Sequence, residues 1–468
     1  MMPMLDNIRE TARQHPRRLA FCSALEQITY ETLWVQIESV GRLLRKQGSS
    51  PVLLYGQKGG WMLTAMLACL AAKRAYVPLH RFTPQTRLNL IAAQTGSTLL
   101  LCDKPMTFAG IDCCTLPQLQ RFSDAPEQDC RSDIAYIIFT SGSTGTPKGV
   151  PISGTNLNHF CSWIRRLHPL SELDHPRSLN TADFSFDLSV ADLAAAFCSG
   201  GTLVSFDAAT QDVYDNLFPL LATCDAAVMT PTCMRLCLLD RSFCRAAFPR
   251  FSCVYFCGEP LDASLVKKLF AAFPDLQVLN AYGPTEATSA VCASLITPAD
   301  AERGDPLPAG DLAGAAVRIT IEDDEIVLCG NSVFGGYLGQ QPLCGGCYHT
   351  GDCGWIQGGK LFCRGRKDRQ IKFKGYRIEL DDIEQNLASV PGVHACAVTA
   401  RKKPNNTVSS ISAFYEAAAD VSPQEIQSAL QQRLPAYMIP RDIRQVDKLP
   451  VNENGKTDRK ALEKWPLM

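Results

Sequence analysis

The sequence predicts an α/β protein with a large N-terminal domain of layered α/β subdomains and a small α+β C-terminal domain. Three observations support this prediction. Short apolar runs alternate with amphipathic stretches over most of the chain, a pattern typical of largely parallel sheets covered by helices. Near Gly365 this pattern changes to a mixture of helices and strands over about a hundred residues, within the usual size of a domain. At 468 residues the chain is also too long for one ordinary domain.

Six short apolar runs in the N-terminal region predict buried strands, because turn residues follow each of them. These runs lie at residues 50–56, 97–102, 132–142, 226–232, 252–259 and 276–283. Amphipathic stretches at 83–95 and 262–273 predict helices. The apolar stretch 61–72 is too short to span a bilayer and predicts a buried helix.

The C-terminal region predicts a separate small domain. Two amphipathic stretches predict helices and two apolar stretches predict strands, at residues 381–390, 422–435, 393–402 and 412–417 respectively. The segment GRKDRQIK marks the change of pattern. We therefore expect an N-terminal domain at 1–367 and a C-terminal domain at 368–468.

Composition excludes several classes of protein. The formal net charge is −1, from 46 basic and 47 acidic residues, so neither nucleic acid nor an anionic membrane surface is an expected partner. The N-terminal segment MMPMLDNIRE lacks the apolar core of a secretory signal. We expect a cytoplasmic protein.

The chain contains 21 cysteines, which in a reducing compartment behave mostly as small core residues. One cluster, CGGCYHTGDC, contains Cys344, Cys347, His349 and Cys353. The C-x-x-C spacing could begin a metal site, but no second C-x-x-C pair or H-x-x-x-H pair accompanies it. Free thiols are the favoured interpretation.

The segment TSGSTGTPKG, residues 140–149, follows a predicted strand and has the composition of a phosphate-binding loop. Glycines bring backbone N–H groups close to anionic oxygens, and the hydroxyls and one lysine add donors. The Walker A pattern requires Ser or Thr after the lysine, whereas Gly149 follows Lys148 here. A later GKT at 455–457 has Pro450 in place of the leading glycine. Taken alone, the loop could also be a surface turn.

Four further motifs follow in order: NAYGPTEAT at 280–288, YHTGD at 348–352, GRKDRQIKFKGYRIELDDIE at 365–384 and NENGKTDRKAL at 452–462. With these motifs the sequence resembles the superfamily of adenylate-forming enzymes, which includes acyl-CoA ligases, luciferase and the adenylation domains of nonribosomal peptide synthetases. The resemblance covers essentially the whole chain. It implies a ligase that converts ATP and a carboxylic acid into an acyl-adenylate and pyrophosphate, with a small β-barrel-like subdomain and a mobile C-terminal lid.

The resemblance implies ATP and Mg²⁺ as cofactors. Glu286 would coordinate Mg²⁺, and Thr285 would contact the α-phosphate. Tyr282 would stack on adenine, and Asp352 would accept the ribose hydroxyls. The positions implied to bind ATP are Thr140, Ser141, Gly142, Ser143, Thr144, Gly145, Lys148, Gly258, Ala281, Tyr282, Gly283, Thr285, Asp352, Arg366 and Lys456.

Lys456 is the implied catalytic lysine, together with Thr285 and Glu286. A flexible ammonium can reach both the substrate carboxylate and the α-phosphate and neutralise charge as it develops. Asp368 matches the family's hinge, about which the small domain turns between the two half-reactions. A solvated lysine in a polar turn is the alternative for Lys456 alone.

The segment FSFDLSVADL indicates which acid is activated. In the family, the position of Asp187 binds the α-ammonium of an amino acid, whereas an unpaired buried carboxylate facing a fatty or aryl acid would be costly. A helix-capping role for Asp187 is the alternative. The implied pocket residues are Asp187, Leu188, Ala191, Thr232, Tyr255, Cys257, Ala281, Ser289 and Ala290.

Within the family, FDLSVADL and the stretch 254–288 look most like the stand-alone D-alanine–carrier protein ligases. We expect a small amino acid, alanine first, loaded onto the phosphopantetheine thiol of a separate carrier protein. An acid–CoA ligase and a catalytically silent nucleotide-binding relative remain as alternatives.

Overall fold

The computed structural model describes residues 2–127, 131–142, 145–207, 213–403, 407–417, 421–451 and 457–466. Contacts divide the chain into two compact units. The first comprises Met1–Arg81, Thr95–Ile138 and Val150–Arg364. The second comprises Phe82–Gln94, Phe139–Gly149 and Gly365–Met468, so two segments far away in sequence join the C-terminal region.

Helices and strands alternate along the described residues. The helices are α1 Pro3–Gln14, α2 Tyr30–Arg45, α3 Gly60–Ala72, α4 Gln85–Thr95, α5 Gly154–Ile164, α6 Leu188–Phe197, α7 Phe218–Leu221, α8 Pro231–Cys237, α9 Ala263–Ala272, α10 Pro298–Arg303, α11 Leu380–Ala388, α12 Pro423–Gln431 and α13 Arg459–Glu463. The strands are β1 Leu19–Cys22, β2 Gln27–Thr29, β3 Val52–Gly56, β4 Tyr76–His80, β5 Leu99–Cys102, β6 Asp112–Cys114, β7 Ile134–Thr140, β8 Lys148–Ser153, β9 Arg177–Asn180, β10 Thr202–Ser205, β11 Ala226–Met229, β12 Cys253–Phe256, β13 Gln277–Tyr282, β14 Cys292–Ile296, β15 Gly310–Asp311, β16 Arg318–Glu322, β17 Glu325–Cys329, β18 Cys347–Gln357, β19 Lys360–Arg366, β20 Gln370–Phe373, β21 Tyr376–Glu379, β22 Val393–Lys402, β23 Val408–Ala417 and β24 Asp442–Gln445.

An eight-stranded sheet of the first unit has the order β14-β13-β12-β11-β9-β10-β1-β2. Its central neighbours from β13 to β1 pair in parallel, and the two edge strands β14 and β2 pair antiparallel. Strands β11 and β12 are buried at every position. Because strands covered on both faces are apolar throughout, the sequence runs predicted these strands correctly.

A six-stranded sheet has the order β6-β5-β3-β4-β7-β8. Helix α3 packs against β3 and β4 and buries all but two of its thirteen residues. Its apolar residues lie on every face of the helix, which is typical of a helix enclosed by its neighbours. The prediction of a buried helix at 61–72 is confirmed. Within the part of the chain that the structure describes, every helix is too short or too polar to span a bilayer.

The small β subdomain of the first unit is a five-stranded sheet in the order β15-β19-β18-β17-β16. Cys329 of β17 lies opposite Cys347 of β18, and the two form a disulfide with a Cα–Cα distance of 4.2 Å. The interpretation of Cys347 as a free thiol is therefore wrong, because strand pairing brings it directly against a cysteine 18 residues away in sequence. Cys344 is exposed, and no cluster of three metal-ligating side chains occurs among the described residues.

The C-terminal part of the second unit contains the β20–β21 hairpin and the sheet β22-β23-β24. Helices α11 and α12 cover one core, to which Ile383, Ile426 and Leu430 contribute fully buried side chains. Ser422 and Glu425 form a capping box that begins α12. The two helices and two strands predicted for this region are all present.

Candidate active site

The predicted amino-acid pocket lies after the carboxyl ends of parallel strands in the eight-stranded sheet. Strands β9, β11, β12 and β13 end at Asn180, Met229, Phe256 and Tyr282, and predicted pocket residues follow each of them. Segments that leave the same edge of a parallel sheet come together, and ligands of α/β proteins bind at that edge. The topology therefore gathers residues that are about a hundred positions apart in sequence.

Asp187 occupies the position before α6, but its side chain makes no capping hydrogen bond. The alternative of a pure helix cap is therefore wrong for the carboxylate. The loop before it is held locally, since Asp183 accepts hydrogen bonds from the N–H and hydroxyl of Ser185 at 2.9 and 2.6 Å. Asp187 is half-buried at the start of α6.

Two tyrosine hydroxyls lie within electrostatic reach of Asp187. Tyr136 on β7 and Tyr255 on β12 are fully buried, and neither hydroxyl has a hydrogen-bond partner among the described residues. Burial raises the pKa of both phenols well above the usual value, and the charge of Asp187 raises each of them further. Tyr255 was predicted, whereas the sequence analysis missed Tyr136.

The remaining predicted pocket residues line the same region of the fold. Ser289 is buried with an unpartnered hydroxyl, and its carbonyl lies 3.9 Å from Sγ of Cys257. The N–H of Thr232 at the start of α8 donates to Glu259 at 2.9 Å. The other predicted pocket residues are small or apolar and are buried in one hydrophobic core: Leu188, Ala191, Ala281 and Ala290.

The turn after β13 carries Thr285 and Glu286. Gly283 allows this turn, because a Cβ there would lie 2.4 Å from Cα of Ala290. Thr285 and Glu286 are buried in a single 3₁₀ turn. The carboxylate of Glu286 accepts a hydrogen bond from the hydroxyl of Tyr337 at 2.6 Å, which orients it. One oriented carboxylate fits Mg²⁺ bound chiefly by substrate phosphates and water.

The predicted adenosine residues Tyr282 and Asp352 contact each other. The Tyr282 hydroxyl donates to Oδ2 of Asp352 at 2.8 Å, and both residues are buried. Burial raises the pKa of Tyr282 well above the usual value, and the Asp352 charge adds to the shift. Gly258, the other predicted neighbour of the base, has a φ of +89°, which favours glycine.

The predicted phosphate loop belongs to the second unit. The Ser141 hydroxyl accepts from the N–H of Glu379 at 2.8 Å and donates to the carbonyl of Arg377 at 3.2 Å. The N–H of Gly142 hydrogen-bonds to the carboxylate of Asp382. The Ser141 hydroxyl and the Gly142 N–H are thus both engaged by groups of the second unit, and phosphate binding by this loop stays a prediction.

The other loop residues are placed as follows. Thr140 ends β7, Gly145 has a φ of +71°, and Lys148 begins β8. Arg366 and Asp368, predicted for the ribose and the hinge, form a bidentate ion pair with both distances at 2.7 Å. Ser143, Thr144 and Lys456 lie outside the described residues.

Comparison with known protein families identifies the family to which the chain belongs. Residues 8–338 match the family model of the AMP-binding enzymes, and residues 382–456 match that of the AMP-binding enzyme C-terminal domain. The chain therefore belongs to the AMP-binding enzyme family. This finding confirms the predicted adenylate-forming superfamily and the predicted ligase class.

Two of the most similar relatives have the same name. The chain is 34% identical over 502 residues to the D-alanine–D-alanyl carrier protein ligase of Bacillus licheniformis, covering 99% of both chains. It is 35% identical over 504 residues to the enzyme of the same name from Listeria monocytogenes, covering 98% of both. The predicted function, amino-acid activation followed by transfer to a carrier protein, agrees with these names.

A solved structure confirms the predicted fold class. An o-succinylbenzoate CoA synthetase from Bacillus subtilis superposes with a TM-score of 0.84 over 99% of both chains, at 21% sequence identity. At this identity the likeness concerns the fold.

Proposed function

We propose that this protein activates D-alanine, or another small amino acid, as the aminoacyl-adenylate and loads it onto the phosphopantetheine thiol of a separate carrier protein. The observation that carries the proposal is the buried pocket in which two unpartnered tyrosine hydroxyls face the half-buried Asp187. The names of the relatives support D-alanine as the first substrate to test.

The pocket fits the α-ammonium of an amino acid. An ammonium has three N–H donors, and a carboxylate with neighbouring hydroxyl oxygens provides matching acceptors. The buried hydroxyls of Tyr136 and Tyr255 have no hydrogen-bond partner among the described residues. A bound ligand could supply a partner for each of them. The predicted pocket residues Ala191, Ala281 and Ala290 have small side chains and are buried in the same core, which supports a small amino acid.

In the first half-reaction a carboxylate oxygen of the amino acid attacks the α-phosphorus of ATP, and pyrophosphate leaves. Both reactants are anionic, so catalysis depends on positioning and charge neutralisation. Thr285 would contact the α-phosphate, the loop 140–149 would hold the β- and γ-phosphates, and Lys456 would neutralise the developing charge. Mg²⁺, held by Glu286, would screen the triphosphate.

In the second half-reaction the thiolate of the carrier's phosphopantetheine attacks the acyl carbon, and AMP leaves. The thiol proton is released, so the step needs no oxidant or reductant. In this proposal Asp368 lies at the hinge about which the small domain turns between the two steps. Its ion pair with Arg366 would have to rearrange during such a turn.

The experiment is amino-acid-dependent exchange of labelled pyrophosphate into ATP with D-alanine, L-alanine, glycine, D-serine and L-serine. We expect the strongest exchange with one small amino acid, D-alanine first, and its loss in Lys456→Ala. A second assay compares a phosphopantetheinylated carrier protein with coenzyme A as acceptor. Exchange with none of these amino acids would contradict the proposal, and product on coenzyme A alone would favour an acid–CoA ligase.

A further inference from the structure

Lys58 is a buried lysine that none of the predicted roles uses. It lies between β3 and α3, with 7% of its surface exposed. Its ammonium donates to the carbonyl oxygens of Phe206 at 2.8 Å and Asn180 at 3.2 Å. Asn180 is the last residue of β9 and Phe206 follows the last residue of β10. Lys58 therefore connects the six-stranded sheet to the edge of the eight-stranded sheet where the predicted pocket begins.

The groups around Lys58 favour a positive charge at this position. Its ammonium lies 5.5 Å from the centre of the Phe184 ring, a distance at which an aromatic face attracts a positive charge. The acidic groups that face it are Asp183 and Asp192 in the β9–α6 region and Asp207 after β10. Asn180 links to the same group, because its side-chain amide donates to Oδ2 of Asp192 at 2.8 Å.

Burial at this position is costly for a charged group. Burial lowers the pKa of Lys58 to about 8, although Asp192, Asp183 and Asp207 oppose the shift. The second carboxylate oxygen of Asp192 has no hydrogen-bond partner among the described residues. An apolar side chain would fill this space without the desolvation cost, so packing alone does not explain a lysine here.

The residues around Lys58 lie on both sides of Asp187 in the sequence. Phe184 precedes Asp187 by three residues, and Asp192 follows it by five on α6. Asp183, which also faces Lys58, holds the turn through Ser185. The ammonium therefore lies close to the loop that leads into Asp187, through Asn180 and Phe184, and within electrostatic range of Asp192 on the helix that leads away from it.

We propose that Lys58 is a positioning residue for Asp187, holding the β9–α6 loop so that the carboxylate meets the substrate ammonium. This inference rests on the proposed function, in which Asp187 binds that ammonium. Lys58 does not itself touch substrate in this proposal. Its effect reaches the reaction through the binding of the amino acid.

The test is Lys58→Met, which keeps the length and removes the charge. We expect KM for the amino acid to rise about ten-fold or more, because a small misplacement of a binding group has effects of this size. KM for ATP and kcat are expected to stay near wild type. Lys46→Met, at the exposed end of α2, is the matched control and should change none of the three.

A double-mutant cycle with Asp187→Asn separates positioning from general damage. If Lys58 acts through Asp187, the effects of the two substitutions on kcat/KM for the amino acid will be far less than additive. Fully additive effects, or an unchanged KM for the amino acid in Lys58→Met, would overturn the inference. An equal loss for ATP and amino acid would also overturn it, since that result indicates a structural role.

Wild-type protein provides a second readout should Lys58→Met fold poorly. Raising the pH from 7 to 9 discharges Lys58, so KM for the amino acid should rise while KM for ATP stays level. Equal pH dependence of both KM values would contradict the inference. Failure of the proposed function looks different, because wild-type protein would then show no amino-acid-dependent exchange at any pH.

Discussion

At the scale of single residues, the pocket contains hydroxyls that folding alone does not satisfy. A buried hydroxyl without a partner costs about 1–3 kcal/mol, and a ligand that pairs with it recovers this cost on binding. Tyr136 and Tyr255 carry such hydroxyls beside Asp187. A group that is unfavourable in the empty protein and favourable in the complex is characteristic of a binding site.

Tyr136→Phe tests this interpretation. Because the hydroxyl has no partner among the described residues, its removal should leave Tm unchanged or slightly higher. We expect KM for the amino acid to rise about five-fold, the equivalent of one net hydrogen bond of about 1 kcal/mol.

Tyr30→Phe is the matched control for Tyr136→Phe. The Tyr30 hydroxyl donates to the carbonyl of Gly201 at 2.6 Å, so its removal should lower Tm and leave KM unchanged. A clear fall of Tm in Tyr136→Phe, with no change of KM, would show that its hydroxyl is structural.

Lys58 gives a prediction about stability against pH. Burial lowers its pKa to about 8 in the folded protein, whereas the ordinary pKa of a lysine in an unfolded chain is 10.5. Below pH 8 both states bind the proton and the full cost of burying the charge is present. Between the two values the folded state releases the proton first, so wild-type stability rises with pH through this window.

The measurement is Tm of wild type and Lys58→Met from pH 7 to 9.5. The difference in the free energy of unfolding, variant minus wild type, should be constant well below pH 8 and should have fallen by about 2 kcal/mol at pH 9.5. Groups that titrate in both proteins cancel in this difference. A difference that stays flat across the range would refute the depressed pKa.

At the scale of elements, the turn after β13 depends on a glycine. A Cβ at Gly283 would lie 2.4 Å from Cα of Ala290 and 2.9 Å from the carbonyl oxygen of Ser289. Both contacts involve backbone, which cannot move as a flexible side chain would. The close approach places Thr285 and Glu286 in the turn between β13 and β14.

Gly283→Ala should therefore destabilise the protein by at least about 2 kcal/mol and abolish pyrophosphate exchange. Gly314→Ala is the matched control, because a Cβ there would meet nothing within 4 Å. Thermal unfolding and exchange measured on both variants test the prediction. Activity retained in Gly283→Ala would show that the turn tolerates a shift of its backbone.

A buried ion pair links α4 to α11 in the second unit. Arg87 and Asp382 are nearly inaccessible to solvent, with Nη1 and Oδ2 separated by 3.6 Å. This distance is an ion pair without a good hydrogen bond, and Oδ2 has no hydrogen-bond partner among the described residues. Burial raises the pKa of Asp382, and Arg87 opposes the shift.

Arg87→Met should lower stability at neutral pH by about 3–5 kcal/mol, because it leaves the Asp382 carboxylate buried without its cation. Arg87→Met combined with Asp382→Leu should recover most of the loss. The raised pKa of Asp382 gives the sign of the pH effect: the single variant should regain stability as the pH falls and the carboxyl becomes neutral. Equal losses in the single and double variants would contradict this account.

Particular elements show how far the sequence predicts the fold. Strands β12 and β13 and helices α3 and α9 follow from local apolar patterns, and all were predicted. The paired cysteines 329 and 347 could not be found, because the register of β17 on β18 brings them together and spacing does not. The segments 82–94 and 139–149 join the second unit through contacts far apart in sequence, which local patterns do not record.

The candidate site also contains residues that sequence motifs predict and residues that only the folded structure identifies. Tyr255, Ser289 and Asp187 were found by resemblance to family motifs. Tyr136 and Lys58 lie outside the positions predicted for the pocket. Tyr136 is identified by its burial and its unpartnered hydroxyl, and Lys58 by its burial and its carbonyl partners. The fully apolar neighbours of Tyr136 in IAYIIFT are a signal that a sequence analysis could have used.

At the scale of the whole molecule, the proposed function is that of a two-step ligase whose first unit selects the amino acid. In the proposed function this selection depends on one charge, since an acid without an ammonium would not pair with the Asp187 carboxylate. Propanoate differs from alanine by the absence of that ammonium. The ratio of the exchange rates with alanine and with propanoate therefore measures how much the ammonium contributes to selection.

The first measurement is pyrophosphate exchange by wild type and Asp187→Asn, each with D-alanine and with propanoate. We predict strong exchange of wild type with D-alanine and none with propanoate, and a loss of about 100-fold or more with D-alanine in the variant, as expected when one partner of a buried charge pair is removed. Exchange with D-alanine that stays within about two-fold of wild type in Asp187→Asn would contradict the central claim, since so small a change in kcat/KM means that no transition-state contact was lost.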